Sequence, residues 1–219
     1  MMSASQKLRL AILISGRGSN MEAIARACRE QRIAAEVVRV IADRADAAGL
    51  GIAAQLGIAT SAVERARYPG REAHEEAVSR QIAAARAQLV ILAGYMRILS
   101  STFVEQYRGR LLNIHPSLLP LHKGLHTHRR VLEGGDTVHG ASVHYVSTEL
   151  DDGPVICQAQ VPVHPGDTED TLAARVLTRE HVIYPMAIDL IAQGRVQLRD
   201  RQVWLDGEPL RQPLEAPAA

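Results

Sequence analysis

Cysteine is scarce in this chain: Cys28 and Cys157 are the only two among 219 residues, far apart and outside any metal-ligand spacing. That excludes a disulfide framework and a zinc ribbon, and it fits a reducing, cytoplasmic setting. A surplus of charge is missing too. Twenty-five basic residues stand against twenty-four acidic ones, a formal charge of +1, which removes the electrostatic case for a nucleic-acid or membrane partner and leaves a small ligand. The first apolar run, within MMSASQKLRLAILISG, is too short for a membrane span and leads into a glycine turn, so it reads as a strand. No internal repeat and no low-complexity linker interrupts the chain. With 47% hydrophobic residues, one sizeable core is the expectation.

Apolar runs alternate with helix-like stretches: RLAILIS then SNMEAIARACREQ, AEVVRVIAD then ADAAGLGIAAQLG, REAHEEAVSRQIAAARA then QLVILAG. This order predicts a single-domain α/β fold, a mostly parallel twisted sheet flanked by helices. After residue 137 come two longer extended segments, HGASVHYVS and PVICQAQVPV, joined by the turn-forming ELDDGP. A long helix is expected from Thr168 to about Gln193, followed by a hairpin of RVQLRD and RQVWLDG. Residues 1–205 are read as the domain and 206–219 as a loose tail.

The first strand empties into Ser15-Gly16-Arg17-Gly18-Ser19-Asn20 and then a helix. Glycines let the backbone approach a ligand, and the N–H groups at the helix start suit an anion such as phosphate. A Gly-rich first turn also serves packing alone, and the third glycine of a dinucleotide fingerprint is missing. Asp43, ending the second strand where a ribose-binding acid can sit, nevertheless keeps a nicotinamide-dependent oxidoreductase as a competing reading. At the end of QLVILAG, Arg97 is placed to meet a carboxylate while Met96 and Leu99 pack on something flat; the bland alternative is a core edge with one solvated arginine. In RLLNIHPSLLP, Asn113 and His115 lie two apart in an extended run that stops at Pro116, so both project to one face. Asn can donate to a developing oxyanion, and His can donate or accept a proton near neutral pH. Taken alone, Glu149-Leu150-Asp151-Asp152-Gly153-Pro154 reads as an ordinary acidic turn. His122, His126, His128, His139 and His144 crowd one stretch, but no helix-borne i, i+4 pair with a carboxylate partner emerges, and no metal is expected.

In order, ISGRGSN, LAGYMRILS, LLNIHPSLLP, GLHTHR, HGASVHYV, ELDDGPVI and REHVIYP resemble the folate-dependent glycinamide ribonucleotide formyltransferases, over Ile14 to Pro185. The resemblance implies a Rossmann-like formyltransferase fold, 10-formyltetrahydrofolate as formyl donor, glycinamide ribonucleotide as acceptor, a place in purine synthesis and no metal. It further implies that Gly18, Ser19 and Asn20 hold the ribonucleotide phosphate, and that Leu177, Thr178, Arg179 and Glu180 contact the same substrate. Arg71, Met96, Arg97, Ile98, Leu99, Asn113 and the loop Ser147, Thr148, Glu149, Leu150, Asp151 would hold the folate, with Arg71 and Arg97 at its glutamate carboxylate. Asn113 and His115 would flank the formyl group, and Asp151 would tune His115. Two positions depart from the family pattern: Leu177 stands where a polar residue can help bind the ribonucleotide, and Asp152 where glycine is common. Methionyl-tRNA formyltransferase and formyltetrahydrofolate hydrolase share the catalytic core, but the chain lacks room for their added RNA-binding or regulatory domains. A non-catalytic nucleotide-binding protein would keep SGRGSN without needing Asn113, His115 and Asp151 together. Oligomeric state is not legible.

Overall fold

The computed structural model describes residues 7–216. Five strands form the parallel part of the main sheet: β1 (Leu8–Ile14), β2 (Ala35–Ala42), β3 (Thr60–Ala62), β4 (Leu89–Leu92) and β5 (Leu111–His115). Two antiparallel strands follow, β6 (Val138–Tyr145) and β7 (Val155–Pro162), the expected pair of long extended segments joined by the acidic turn. β8 (Val196–Arg199) and β9 (Gln202–Leu205) make the expected hairpin, to which β10 (Glu208–Pro209) adds a third strand. β11 (Leu214–Glu215) lies beside β7, giving the main sheet the order β11-β7-β6-β5-β4-β1-β2-β3. The stretch 206–219, expected to trail loosely, is therefore tied to both sheets as far as Ala216, whose N–H donates to Gln158 O. Its last three residues lie outside the described part.

Alternating side chains divide between two cores, as a sheet covered on both faces requires. Leu10, Ile12 and Ile14 of β1 pack with α1 (Ser19–Arg29) and α6 (Glu169–Ala192); Ala11 and Leu13 pack with α3 (Arg71–Ala84) and α4 (Ser101–Gln106). The remaining helices, α2 (Ala48–Gln55) and α5 (Thr127–Gly134), lie on the α1 and α6 face. α6 starts where the sequence says it should. Thr168 accepts from Thr171 N, Thr171 reaches back to Thr168 N, and Glu169 and Asp170 fill the positive first turn. Its buried stripe, Leu172, Val176, Ile183, Ala187 and Ile188, is worth about 1.5–3 kcal/mol per large side chain. Within it the fully buried Tyr184 hydroxyl lies 2.9 Å from Leu92 O and 3.2 Å from Leu112 O. One side chain thus locks α6 to the carboxyl end of β4 and to the start of β5.

β1 is flanked by β2 on one side and β4 on the other, so the chain reverses direction across the sheet there. Ligands of open α/β sheets bind in the crevice outside the carboxyl ends at such a point. No helix among the described residues is long and apolar enough to cross a membrane.

Candidate active site

Register brings three separate motifs to one edge. Leu13 pairs with Leu92, and Leu92 with Asn113, so the loops after β1 and β4 and the end of β5 stand side by side. Between the first two lies a cavity of about 490 Å³, bounded by Ser15–Asn20, Asp43, Arg44, Ala93, Gly94, Met96 and Arg97.

Gly18 shapes the first loop. Its φ is +75°, and a Cβ there would sit 3.0 Å from Gly49 Cα, so the turn needs glycine both for its backbone and for the approach of α2. Its carbonyl accepts from Glu22 N, opening α1 and leaving the N–H groups of Ser19 and Asn20 at the helix start. Asn20 is buried and donates through Nδ2 to Glu180 Oε2 at 2.6 Å, joining α1 to the α6 segment that holds Leu177, Thr178 and Arg179. Burial raises the Glu180 carboxyl above its ordinary range, with the Asn20 bond opposing. Leu177 and Arg179 are half-buried; Thr178 is exposed and spends its hydroxyl proton on Arg175 O. We expect Gly18→Val to raise the ribonucleotide KM about tenfold or more while folate binding persists; equal loss of both ligands in titration calorimetry would indicate collapse of the fold instead.

The segment after β4 presents Met96 and Ile98 outward, 71% and 73% exposed, while Leu99 packs against the α3 and α4 core. Arg97 does not stand alone: its Nε donates to the buried Asp43 carboxylate. Arg71 is exposed at the first turn of α3 and does not line the cavity. Asp43, considered for a ribose, has its Oδ2 occupied by Arg97.

The third motif forms a polar cluster at the β5–β6 pair. Asn113 lies opposite His144, and His115 opposite Ser142. His144 was not expected to take part. Its Nδ1 donates to Tyr145 O at 3.0 Å, which leaves Nε2 as the acceptor for Asn113 Nδ2 at 3.2 Å and holds that amide by one hydrogen while leaving the other. Burial lowers the His144 pKa to about 4, so the ring is neutral and the acceptor is preserved. His115 is buried, with Nε2 3.1 Å from His122 O and Nδ1 3.4 Å from Asp151 Oδ2. Nε2 donates to the His122 carbonyl, while Nδ1 makes no hydrogen bond and faces the Asp151 carboxylate.

Asp151 and Asp152, indistinguishable in the sequence, separate here. Asp151 turns inward at φ +48°, accepts from Gly124 N at 3.0 Å and is 10% exposed at its side chain. Asp152 points outward and pairs with Lys123. Gly153 fixes the turn against β6, since a Cβ would fall 1.6 Å from Tyr145 O. Leu150 is exposed beside Gly124, Thr148 and Glu149 are exposed, and Ser147 donates to Glu149 O.

Within the histidine-rich stretch, His128 Nδ1 lies 3.0 Å from His139 Nε2, and His122 Nε2 lies 2.8 Å from Asp136. Among the described residues no group of three or more His, Cys, Asp or Glu is arranged to hold a metal. His139, like His144, is held near pKa 4 by burial. The unfolded chain binds their protons more readily, so stability should rise with pH between about 4 and 6.5, by at most about 3 kcal/mol for each ring. Urea unfolding across that range should show the slope, and His139→Gln should reduce it; a slope unchanged by His139→Gln would contradict the assignment.

Comparison with known proteins agrees with this geometry. The formyl transferase family model matches residues 8–188. The chain is 51% identical to phosphoribosylglycinamide formyltransferase of Escherichia coli over 93% of its length and 96% of that protein's, and 39% identical to the Haemophilus influenzae enzyme of the same name over 92% and 95%. The solved phosphoribosylglycinamide formyltransferase of Coxiella burnetii superposes with a TM-score of 0.91 at 44% identity, covering 96% of this chain and 100% of that one. Glycinamide ribonucleotide transformylase 1 of Symbiobacterium toebii gives 0.90 at 44% identity over 94% and 97%. With a match across most of the sheet and near-complete mutual coverage at half identity, the chain belongs to the formyl transferase family.

Proposed function

We propose that this protein transfers the formyl group of 10-formyltetrahydrofolate to the amine of glycinamide ribonucleotide, a step of purine synthesis. The observation that carries the reading is the cluster of Asn113, His115, His144 and Asp151 beside an anion-ready helix start at the switch point of the sheet. The ribonucleotide phosphate sits on the N–H groups of Gly18, Ser19 and Asn20, and its remainder runs toward Leu177–Glu180 on α6. The folate lies along Met96–Leu99 and the 147–151 loop, where exposed Met96, Ile98 and Leu150 gain an apolar partner.

The substrate amine attacks the formyl carbon, and the carbonyl π pair moves to oxygen. Asn113 donates its second amide hydrogen to that oxyanion. His115, whose 3.4 Å contact to Asp151 is longer than an ordinary N–H···O bond, supplies a second, charge-assisted donor. Each such donor is worth about 2.7–4 kcal/mol in the transition state. Collapse re-forms the carbonyl, breaks the bond to folate N10 and passes the amine proton to that nitrogen. Asp151 stabilises the imidazolium throughout.

The formyltransferase domain is taken as 1–205, with 206–219 a C-terminal tail that adds β10 and β11 to its sheets. A cytoplasmic enzyme with small-molecule substrates, and with no nucleic-acid or membrane partner, suits the charge balance and the two buried free thiols. A spectroscopic assay for tetrahydrofolate tests the reading: product formed only with ribonucleotide supports a transferase, product formed without it indicates a hydrolase, and no product a binder.

A further inference from the structure

The segment between β4 and α4 has no strand ladder of its own, yet it must hold a cosubstrate. Beyond Gly94, three contacts pin it. Met96 N donates to Ser15 Oγ at 2.9 Å, Arg97 reaches Asp43, and at the far end Ser100 is gripped by Glu75 of α3. The third tether is unusual in its cost. Glu75 is a carboxylate only 6% exposed, and burying such a charge is strongly unfavourable unless both oxygens are served. They are: one accepts from Ser100 N at 2.8 Å and the other from the Ser100 hydroxyl, while Ser100 Oγ also accepts from Phe103 N at 3.2 Å to cap α4.

Glu75 sits one helical turn after Arg71, so the two share a face of α3. The carboxylate therefore fixes the end of the Met96–Leu99 segment against the helix that carries the arginine expected at the folate glutamate.

We propose that Glu75 is a positioning residue for the folate cosubstrate, setting the gap between Arg71 and the Met96–Leu99 segment through Ser100. The proposal rests on the formyl-donor reading above. Its action is on binding of one ligand, because neither Glu75 nor Ser100 lines the cavity beside the phosphate loop.

The test is direct titration of the purified protein with a non-reactive folate analogue and, separately, with glycinamide ribonucleotide, for the parent, Glu75→Gln, Glu75→Ala and Ser100→Ala. Glu76→Gln, an exposed neighbour paired with Arg80, serves as control. Both Glu75 variants should weaken the folate analogue about tenfold or more, as expected for lost hydrogen bonds to a charged group, with Ser100→Ala intermediate and ribonucleotide Kd near parental. An unchanged folate Kd in the Glu75 variants overturns the proposal. So does equal weakening of both ligands with a lowered Tm, which marks a merely structural carboxylate; if the Glu75 variants fail to fold, Ser100→Ala decides by the same split. A parent that binds ribonucleotide but no folate analogue overturns the formyl-donor reading itself, and the proposal with it.

Discussion

Asp151→Asn should lower kcat by on the order of 10²–10⁴-fold, the range for loss of assisted proton chemistry, while Asp152→Asn stays near parental. The two residues are adjacent and chemically identical, so the contrast isolates geometry. Asparagine at 151 can still accept from Gly124 N through its carbonyl, which keeps the loop in place, but it removes the negative charge 3.4 Å from His115 Nδ1. The ring then stands between one carbonyl and one amide, with no carboxylate beside Nδ1. Asp152 is already engaged by Lys123 at the surface, where solvent screening leaves an ion pair little to contribute. Steady-state rates for the two variants decide the matter: greater damage from Asp152→Asn, or none from Asp151→Asn, removes Asp151 from the mechanism.

Asn113→Ala is expected to cost about 10²–10³-fold in kcat, the loss typical of one oxyanion donor. Substrate binding should change by less, because the hydrogen bond strengthens only as charge develops on the formyl oxygen. His144 makes this donor dependable. Held neutral by burial and turned by its bond to Tyr145 O, it accepts one amide hydrogen and orients the other. Comparing kcat with folate Kd checks the point: a loss confined to Kd would make Asn113 a binding group.

What the sequence could and could not reveal follows from how each feature is encoded. The apolar periods of β1, α1, β2, α3 and α6 lie within contiguous windows, and the Thr168 cap is local, so these elements are legible to within three residues. α4 has six residues and β3 three, too few for a period to stand out, and α5 opens at His126 in a left-handed conformation rather than at an ordinary cap. The C-terminal stretch carries three prolines and no clear alternation, and its strand at Leu214–Glu215 exists only because the edge of β7 accepts it. Asn113 and His115 declared themselves through i, i+2 spacing. Ser142 and His144 have the same spacing, and that was the available signal, but placing them opposite requires the antiparallel register of β5 and β6. Arg97 illustrates the same limit, since nothing local says that a carboxylate 54 positions earlier holds it.

The central claim, that Asn113 and His115 address one formyl oxygen above a phosphate held at the start of α1, is tested most directly by a crystal structure with a non-reactive formyl-folate analogue and glycinamide ribonucleotide bound together. The account predicts the formyl oxygen about 2.7–3.1 Å from Asn113 Nδ2 and within hydrogen-bonding reach of the His115 ring, the substrate amine facing the formyl carbon, and the phosphate on the N–H groups of Gly18, Ser19 and Asn20. A formyl group bound away from both side chains, or a phosphate held anywhere but that loop, would contradict it.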